Sequence, residues 1–267
     1  MLRDITIGQY YPVESPVHKL DPRTKLAGTM VFLLSLFVTK SVVGYVLATA
    51  ALAAVIHLSR VPFRFITRGL KAILILLVIS VSFNLFLTEG KPIIQIGFLR
   101  ITWEGLFLAG FMAIRLVYLV LGSSLMTLTT TPNQLTDGLE KGLGFLNRFG
   151  VPVHEISMMM SIALRFIPIL VEETDKIMKA QTARGADFDT GGLVDKAKAM
   201  VPLLVPLFIS AFRRASDLAM AMEARCYHGG SGRTKMKPLH YEHRDRVAYL
   251  LLLLYFVLMA GTRFLPI

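Results

Sequence analysis

The block "VAYLLLLLYFVLMAGT" runs from Val247 to Thr262, near the end of the chain, and it decides which kind of fold the sequence can adopt. It contains no charged residue and is rich in Leu, Val and Phe. A helix needs about 20 largely apolar residues to cross the ~30 Å hydrocarbon core of a bilayer. Each strongly apolar residue favours insertion by roughly 0.5 kcal/mol. The block therefore predicts a transmembrane helix, which we assign to 246–267.

The whole chain has the composition of a membrane protein. Of its 267 residues, 54% are hydrophobic and 18% are charged, and the mean hydropathy is +0.59. These values lie outside the range of soluble globular domains. The net charge of +11 fits basic cytoplasmic loops and an anionic lipid bilayer better than it fits nucleic acid, for which no base-stacking pattern is present. Cys226 is the only cysteine, so an internal disulfide is excluded.

Four further apolar blocks come earlier in the chain: Leu26–Thr39, Val42–Leu58, Ile73–Leu87 and Glu104–Thr131. The loop after the second block carries four basic residues and no acid, which predicts a cytoplasmic loop. We therefore expect a surface segment at 1–25 with a cytoplasmic N-terminus, and a membrane domain of about four helices at 26–131. In this topology Pro132 ends the fourth helix, and Thr88–Thr102 is a loop on the outer side.

Residues 132–245 are more polar, although apolar residues still recur at a roughly helical period. We predict two long amphipathic helices here, at about Glu155–Arg184 and Val194–Cys226, that begin against the membrane and end in water. The predicted fold is all-α: a polytopic protein of the cell membrane with about five transmembrane helices and a helical cytoplasmic coupling region.

Motifs of catalysis are missing. No Gly-x-x-x-x-Gly-Lys-Ser/Thr sequence is present, so we expect no nucleotide hydrolysis, no cofactor and no enzymatic activity in this chain. Cys226, His228, His240 and His243 have a spacing that a tetrahedral metal site can use. They lie in a Gly-rich, basic linker, where solvated histidines are the simpler interpretation. We therefore predict no metal site.

Arg115 lies inside the fourth predicted span. A charge at this depth costs about 3 kcal/mol, so it should face protein or water. We expect a structural pair with a carboxylate or carbonyl of a neighbouring helix, with a partner subunit or a substrate path as the alternative. Gly105, Ala109 and Ala113 share one face of the same helix and favour close helix packing, more simply inside the protein than with a partner.

Two similar tripeptides follow the two amphipathic helices: Ala183-Arg184-Gly185 and Ala224-Arg225-Cys226. Taken singly, each arginine is explained by helix capping, because a cation suits a helix C-terminus. Their paired occurrence favours a second role. Arginine presents a rigid fork of five donors, which suits docking into a groove of another protein. Two similar tips predict two similar partners.

The sequence also resembles a known family, the transmembrane T component of energy-coupling factor (ECF) transporters, along nearly its whole length. The resemblance rests on seven short stretches, in this order: LDPRTKL at 20–26, TTTP at 129–132, GLE at 138–140, PVHE at 152–155, ALRFIP at 163–168, AQTARGADF at 180–188 and AMEARCY at 221–227. Each is weak alone, and together they are fairly specific.

The resemblance implies a membrane scaffold that joins a substrate-binding S component to two ABC ATPases for the uptake of vitamins or other micronutrients. It implies that Ala183, Arg184 and Gly185 dock one ATPase, and that Ala224, Arg225 and Cys226 dock the other. Cys226 stands where the family has glycine, which puts in doubt a helix end that depends on glycine.

Three alternatives stay open from the sequence. The first is a T component dedicated to cobalt or nickel. The second is a membrane-embedded metal-dependent enzyme that uses Cys226 and the histidines. The third, an ordinary ABC permease, is disfavoured because the chain lacks a recognisable permease coupling loop.

Overall fold

A computed structural model describes residues 10–39, 41–88, 90–96, 99–186, 188, 192–230, 236 and 238–262. Residues 1–9 of the predicted surface segment and 263–267 of the predicted last helix lie outside these ranges. The helices are α1 (Pro22–Val38), α2 (Val42–Ser59), α3 (Phe63–Ile66), α4 (Arg68–Leu87), α5 (Trp103–Thr129), α6 (Pro132–Gly142), α7 (Val153–Ala183), α8 (Leu193–Ala224) and α9 (His243–Thr262), with a 3-10 helix at Gly144–Phe149.

The prediction of an all-α polytopic membrane protein is confirmed. Four helices, α2, α5, α7 and α9, are long and apolar enough to cross a membrane, and the bent pair of segments Phe63–Lys71 and Ile73–Leu87 makes a fifth candidate. The number agrees with the predicted five, but the set differs. α1 has only 17 residues and is not among them, whereas α7, predicted as a coupling helix, is.

Two local predictions were wrong. Pro132 does not end a helix: α5 ends at Thr129, and Pro132 is the first residue of α6. Proline is well suited to a first helical position, because its missing N–H would have no partner there. Thr88–Thr102 is not only a loop, since β1 (Pro92–Ile96) and β2 (Leu99–Thr102) pair as an antiparallel hairpin within it.

The chain divides into two compact units, one formed by residues 10–138 and 239–262 and the other by residues within 139–238. The first, which we call the membrane unit, has its main core where α5 packs on α2 and α3. Buried leucines of α5 meet Leu52 and Ile66 there. A second cluster joins Leu36, Ala48 and Met259 of α1, α2 and α9.

A polar cluster fixes one end of the membrane unit and accounts for the LDPRTKL stretch. Asp21 caps α1, and its backbone N–H donates to the buried Asp245 carboxylate of α9 over 2.8 Å. The Arg23 guanidinium lies 3.9 Å from the centre of the Tyr241 ring. The Lys25 ammonium donates to the Thr129 carbonyl at the end of α5, over 2.9 Å. The cluster ties α1, α5 and α9 together.

Candidate functional site

The second unit, which we call the coupling unit, is built around a pair of antiparallel helices, α7 and α8. Gln181 of α7 donates to the Pro202 carbonyl of α8 over 3.3 Å, and Glu173 of α7 contacts Ser210 and Arg214 of α8. The partner numbers rise along α8 as they fall along α7, which is the register of antiparallel helices.

Glu173 forms a brace between these two helices. Both Arg214 Nε and Nη2 donate to its Oε2, over 3.2 and 2.7 Å, while the Ser210 hydroxyl donates to Oε1. Both carboxylate oxygens are therefore used, and the pair is half-buried. Hydrogen bonds that involve an ionised group contribute about 1.5–3 kcal/mol, less where water reaches them. The brace fixes how far one helix can slide along the other.

The first arginine tip is a Schellman helix end. Arg184 follows the last residue of α7, and Gly185 adopts a left-handed conformation with φ of +92°. The Ala186 N–H donates to the Gln181 carbonyl and the Gly185 N–H to the Thr182 carbonyl, both over 3.0 Å. This pair of bonds satisfies carbonyls that the end of a helix otherwise leaves free. The helix therefore stops at a defined residue, and Arg184 is presented at its tip.

The second tip has the same backbone structure although glycine is absent. Cys226 takes the left-handed position with φ of +55°. The Tyr227 N–H donates to the Met222 carbonyl over 3.0 Å and the Cys226 N–H to the Glu223 carbonyl over 2.8 Å. The helix end that the Cys-for-Gly difference had put in doubt is thus formed, and Arg225 holds the position that Arg184 holds in the first tip.

Cysteine in this conformation carries a steric cost of about 1 kcal/mol that glycine avoids. We expect Cys226→Gly to stabilise the last turn of α8 and to slow amide hydrogen exchange at 226 and 227 about fivefold. Cys226→Val should speed exchange there by at least as much, because a β-branched side chain fits the left-handed region worse. Equal exchange in the three proteins would contradict this account of the cap.

All six predicted docking residues are exposed: Ala183, Arg184, Gly185, Ala224, Arg225 and Cys226. Neither guanidinium has a hydrogen-bond or ion-pair partner within the part of the chain that the structure describes. The tips also point apart. From the Glu173–Ser210 contact, Arg184 lies about 16 Å along α7 and Arg225 about 22 Å along α8, in opposite directions. The hairpin therefore holds the two exposed arginines at its two ends.

The second tip is supported by a cluster that sequence reasoning did not single out. Glu140 of α6 accepts from the Ser157 hydroxyl over 2.9 Å and lies 3.0 Å from Nδ1 of His154. Gly230, five residues beyond Arg225, packs so closely on the His154 ring that a Cβ there would come within 2.1 Å of it. The PVHE stretch was the available signal, because it contains His154. The start of α7 thus supports the chain just after Arg225.

The structure also bears on two other features of the sequence, the possible metal ligands and the small residues of α5. Among the described residues, no three His, Cys, Asp or Glu side chains lie close enough to hold a metal ion. His228 Nδ1 lies 2.8 Å from the Cys226 carbonyl. Gly105 and Ala109 are buried, and a Cβ at Gly105 would lie 3.1 Å from the Asn84 carbonyl oxygen of α4, so their face packs inside the protein.

One face of α8 is apolar and exposed. Leu204, Val205, Phe208 and Ile209 are each more than half exposed, and they line a shallow groove of about 470 Å³ with Leu170 of α7. Exposed apolar patches of this kind mark contacts with lipid or with another protein.

Comparison with known proteins gives the same family as the sequence motifs. Residues 13–236 match the family described as cobalt transport protein. The chain is 54% identical over 252 residues to the energy-coupling factor transporter transmembrane protein of Clostridium kluyveri, covering 94% of this chain and 93% of that protein. It is 49% identical over 246 residues to the protein of the same name from Bacillus subtilis, covering 92% and 93%. The corresponding protein of Acidaminococcus fermentans is 46% identical over 98% of both chains.

These names describe the membrane component of a transporter rather than a catalyst. They agree with a chain whose helices can cross a membrane four or five times. A family match over most of the chain, with relatives near 50% identity, establishes membership. The chain belongs to the family of energy-coupling factor transporter transmembrane proteins, the T components of ECF transporters.

Proposed function

We propose that this protein is the scaffold that couples ATP hydrolysis by two ABC ATPases to a membrane-embedded S component, which binds the substrate, for uptake of vitamins or other micronutrients. The observation that carries the proposal is the pair of identically capped arginines at opposite ends of one braced helix pair, neither with a partner among the described residues. Two equal docking points on a single rigid element fit two equal partners.

Each tip suits a groove lined by carboxylates or carbonyls. The guanidinium is always charged, and its planar fork makes two parallel hydrogen bonds to such groups. Ala183 and Ala224 add little bulk beside the arginines, so each tip can enter a narrow groove. The left-handed residue after each arginine turns the following chain away from the helix axis.

The contacts of Glu173 can transmit movement of the ATPases from one helix of the hairpin to the other. ATP binding and release change the spacing of the two ATPases, and each ATPase holds one end of the hairpin. Because Glu173 ties α7 to α8, a displacement of either tip moves both helices rather than one. Coupling of this kind requires that the contacts differ between the two states of the ATPases.

We assign the tips to the cytoplasm and the exposed face of α8 to the S component. Because the tips stand at opposite ends of the hairpin, both can face the cytoplasm only if α7 and α8 lie along the membrane surface. The five charged residues between Glu172 and Lys179 then face water, and the apolar residues of α7 face the bilayer. The apolar groove at Leu204 and Phe208 then lies where a hydrophobic partner can cover it.

Isolation of the intact complex tests the proposal. We expect the tagged full-length protein, solubilised from native membranes in mild detergent, to bring down two ABC ATPases and at least one small hydrophobic membrane protein that binds a micronutrient. Mass spectrometry identifies them. Recovery of the chain without any ATPase, under conditions in which its own fold is intact, would contradict the coupling role.

A T component dedicated to cobalt uptake is the second candidate, because the matching family is described as cobalt transport protein. The same isolation separates the two. A single S component, together with uptake of radioactive cobalt that depends on this chain, would favour the dedicated transporter. Several S components with different substrates would favour the shared one.

A further inference from the structure

The longest helix of the membrane unit carries a continuous apolar seam. In α5 the residues Phe107, Phe111, Ile114, Tyr118, Leu121, Leu125 and Leu128 recur at alternating intervals of four and three. This is the spacing with which one helix packs side chains between those of another along a shared seam. The pattern runs unbroken from Phe107 to Leu128, so the entire seam is suited to face a helix.

Only half of this seam is covered by the described part of the chain. Toward Thr129, Leu121, Leu125 and Leu128 are buried against α2 and α3. Toward Trp103, the seam opens into an apolar groove of about 300 Å³ whose lining residues all belong to α5, and in it Phe107 is 60% exposed. Phe111 packs on the Tyr45 ring of α2, with the ring centres 5.1 Å apart, but no helix among the described residues covers the rest of the open half. This half therefore continues an internal helix–helix interface.

The groove ends at Ile114, and Arg115 is the next residue of α5. The Arg115 guanidinium donates through Nε to the Tyr45 hydroxyl of α2 over 3.2 Å and lies 5.6 Å from the centre of the Phe37 ring of α1. Both residues are close to the ends of their helices. Thr262 of α9, the last described residue of the chain, lies at the same level, since its hydroxyl is 3.3 Å from that of Thr39. From Arg115, α5 continues for about 18 Å to Trp103, past the level at which α1 ends and α2 begins.

The described residues satisfy only some of the hydrogen-bond donors of the Arg115 guanidinium. The expected carboxylate or backbone carbonyl partner of Arg115 is not what the described residues supply: a hydroxyl and, over 3.7 Å, the Met112 sulfur are its hydrogen-bond partners. Nη2 has no hydrogen-bond partner among the described residues. A guanidinium inside a membrane span is costly unless it is paired. Its remaining donors favour an anionic group.

We propose that the open half of the α5 seam is a docking site for a transmembrane helix of another protein, and that this helix carries a carboxylate near the middle of its span that pairs with Arg115. Gly110 lies in the groove with no atom within 4 Å of where its Cβ would be, so the backbone of an incoming helix can approach closely. The carboxylate fixes the depth at which that helix sits.

A second copy of this chain is a poorer occupant. Residues 26–59, 60–88, 105–131 and 246–262, which include the apolar parts of its membrane-unit helices, contain no Asp or Glu. In the apolar first half of α7, the remaining candidate span, the one acid is Glu155, which lies in the first turn rather than near the middle. Lipid chains would fill the groove but would leave the guanidinium unpaired. The inference does not rest on the proposed coupling role, since the arginine tips lie in the coupling unit and the seam lies in the membrane unit.

Site-specific photo-crosslinking in native membranes tests the site. A benzophenone-bearing phenylalanine at Phe107 should crosslink to one membrane helix that contains an Asp or Glu, identified by peptide mass spectrometry. The same probe at Ile75, which is exposed on α4, serves as a control for lipid and random collision. Crosslinks only to lipid, to another copy of this chain or to a helix without a carboxylate would overturn the proposal.

Two variants test whether the crosslink depends on the groove and on the charge of Arg115. The Cβ of Gly110→Leu meets no atom within 4 Å, and the side chain extends into the groove, so the variant should remove the crosslink while the protein folds normally. Arg115→Glu should reduce the crosslink about tenfold, the factor that corresponds to about 1.4 kcal/mol. Exchange of the captured carboxylate for arginine should then restore it. A crosslink that persists in both variants, or that the charge exchange fails to restore, would overturn the pairing.

Discussion

Replacement of both Arg184 and Arg225 by glutamate is expected to abolish ATPase binding and uptake while the protein still inserts and folds. Each guanidinium is exposed and free of partners among the described residues, so its loss costs the fold little. Each charge-assisted contact with a partner is worth about 1.5–3 kcal/mol, or about 10- to 100-fold in affinity. Reversal of the charge adds repulsion to that loss. ATPase recovered with the tagged protein, and uptake in cells, measure the effect.

A matched control makes the same change of charge nearby. Lys179 and Arg213 are exposed residues of α7 and α8, and they precede the tip arginines by five and twelve residues. Lys179→Glu with Arg213→Glu should leave ATPase binding within about twofold, because exposed charges outside a contact contribute little. Each single tip variant should lose one of the two ATPases. If the double tip variant binds ATPases as well as this control does, the tips are not the docking points.

Replacement of Glu173 by leucine is expected to separate ATPase binding from transport. The change removes both links from α7 to Ser210 and Arg214, yet it leaves both tips intact. The ATPases should still bind, but a displaced tip should move its own helix without the other. We expect uptake per ATP hydrolysed to fall about tenfold, on the scale of about 1.4 kcal/mol lost from the brace. Reconstituted vesicles, with uptake and hydrolysis measured together, provide the ratio.

Glu172→Leu is the control for this experiment, since Glu172 is the exposed neighbour on the same helix. It should behave as the unmodified protein does. Glu173→Gln, which keeps two polar atoms at the same place, should lie between the two. An unchanged ratio in Glu173→Leu would show that the brace plays no part in coupling. Loss of ATPase binding in this variant would show that Glu173 supports the tips instead.

The sequence predicted the two long helices of the coupling unit well, although not its 3-10 helix at Gly144–Phe149. α7 and α8 begin and end within two residues of the predicted bounds, because an amphipathic period and a small residue after the last turn are local signals. Cys226 shows the limit of such signals. The sequence offered no way to tell that cysteine would adopt the left-handed position, since that depends on whether the bonds to Met222 and Glu223 offset its steric cost.

How the elements pack against one another could be predicted less well from the sequence. That Arg184 and Arg225 stand at opposite ends of one hairpin is seen only from contacts such as that of Glu173 with Arg214, 41 residues away. No local pattern encodes such a contact. The same holds for Arg115, whose partner was expected to be a carboxylate or carbonyl and is the Tyr45 hydroxyl, 70 residues away. Pro132 was misjudged because proline both follows one helix and opens the next.

The native cysteine allows the most direct test of the central claim, that the arginine tips dock the ATPases. Cys226 is the only cysteine, is exposed and adjoins Arg225, so a maleimide labels the second tip without any mutation. The account predicts rapid labelling of the free protein and protection in the assembled complex. A maleimide-linked photo-crosslinker at the same residue should then capture an ABC ATPase. Equal labelling in both states, with no ATPase captured, would contradict it.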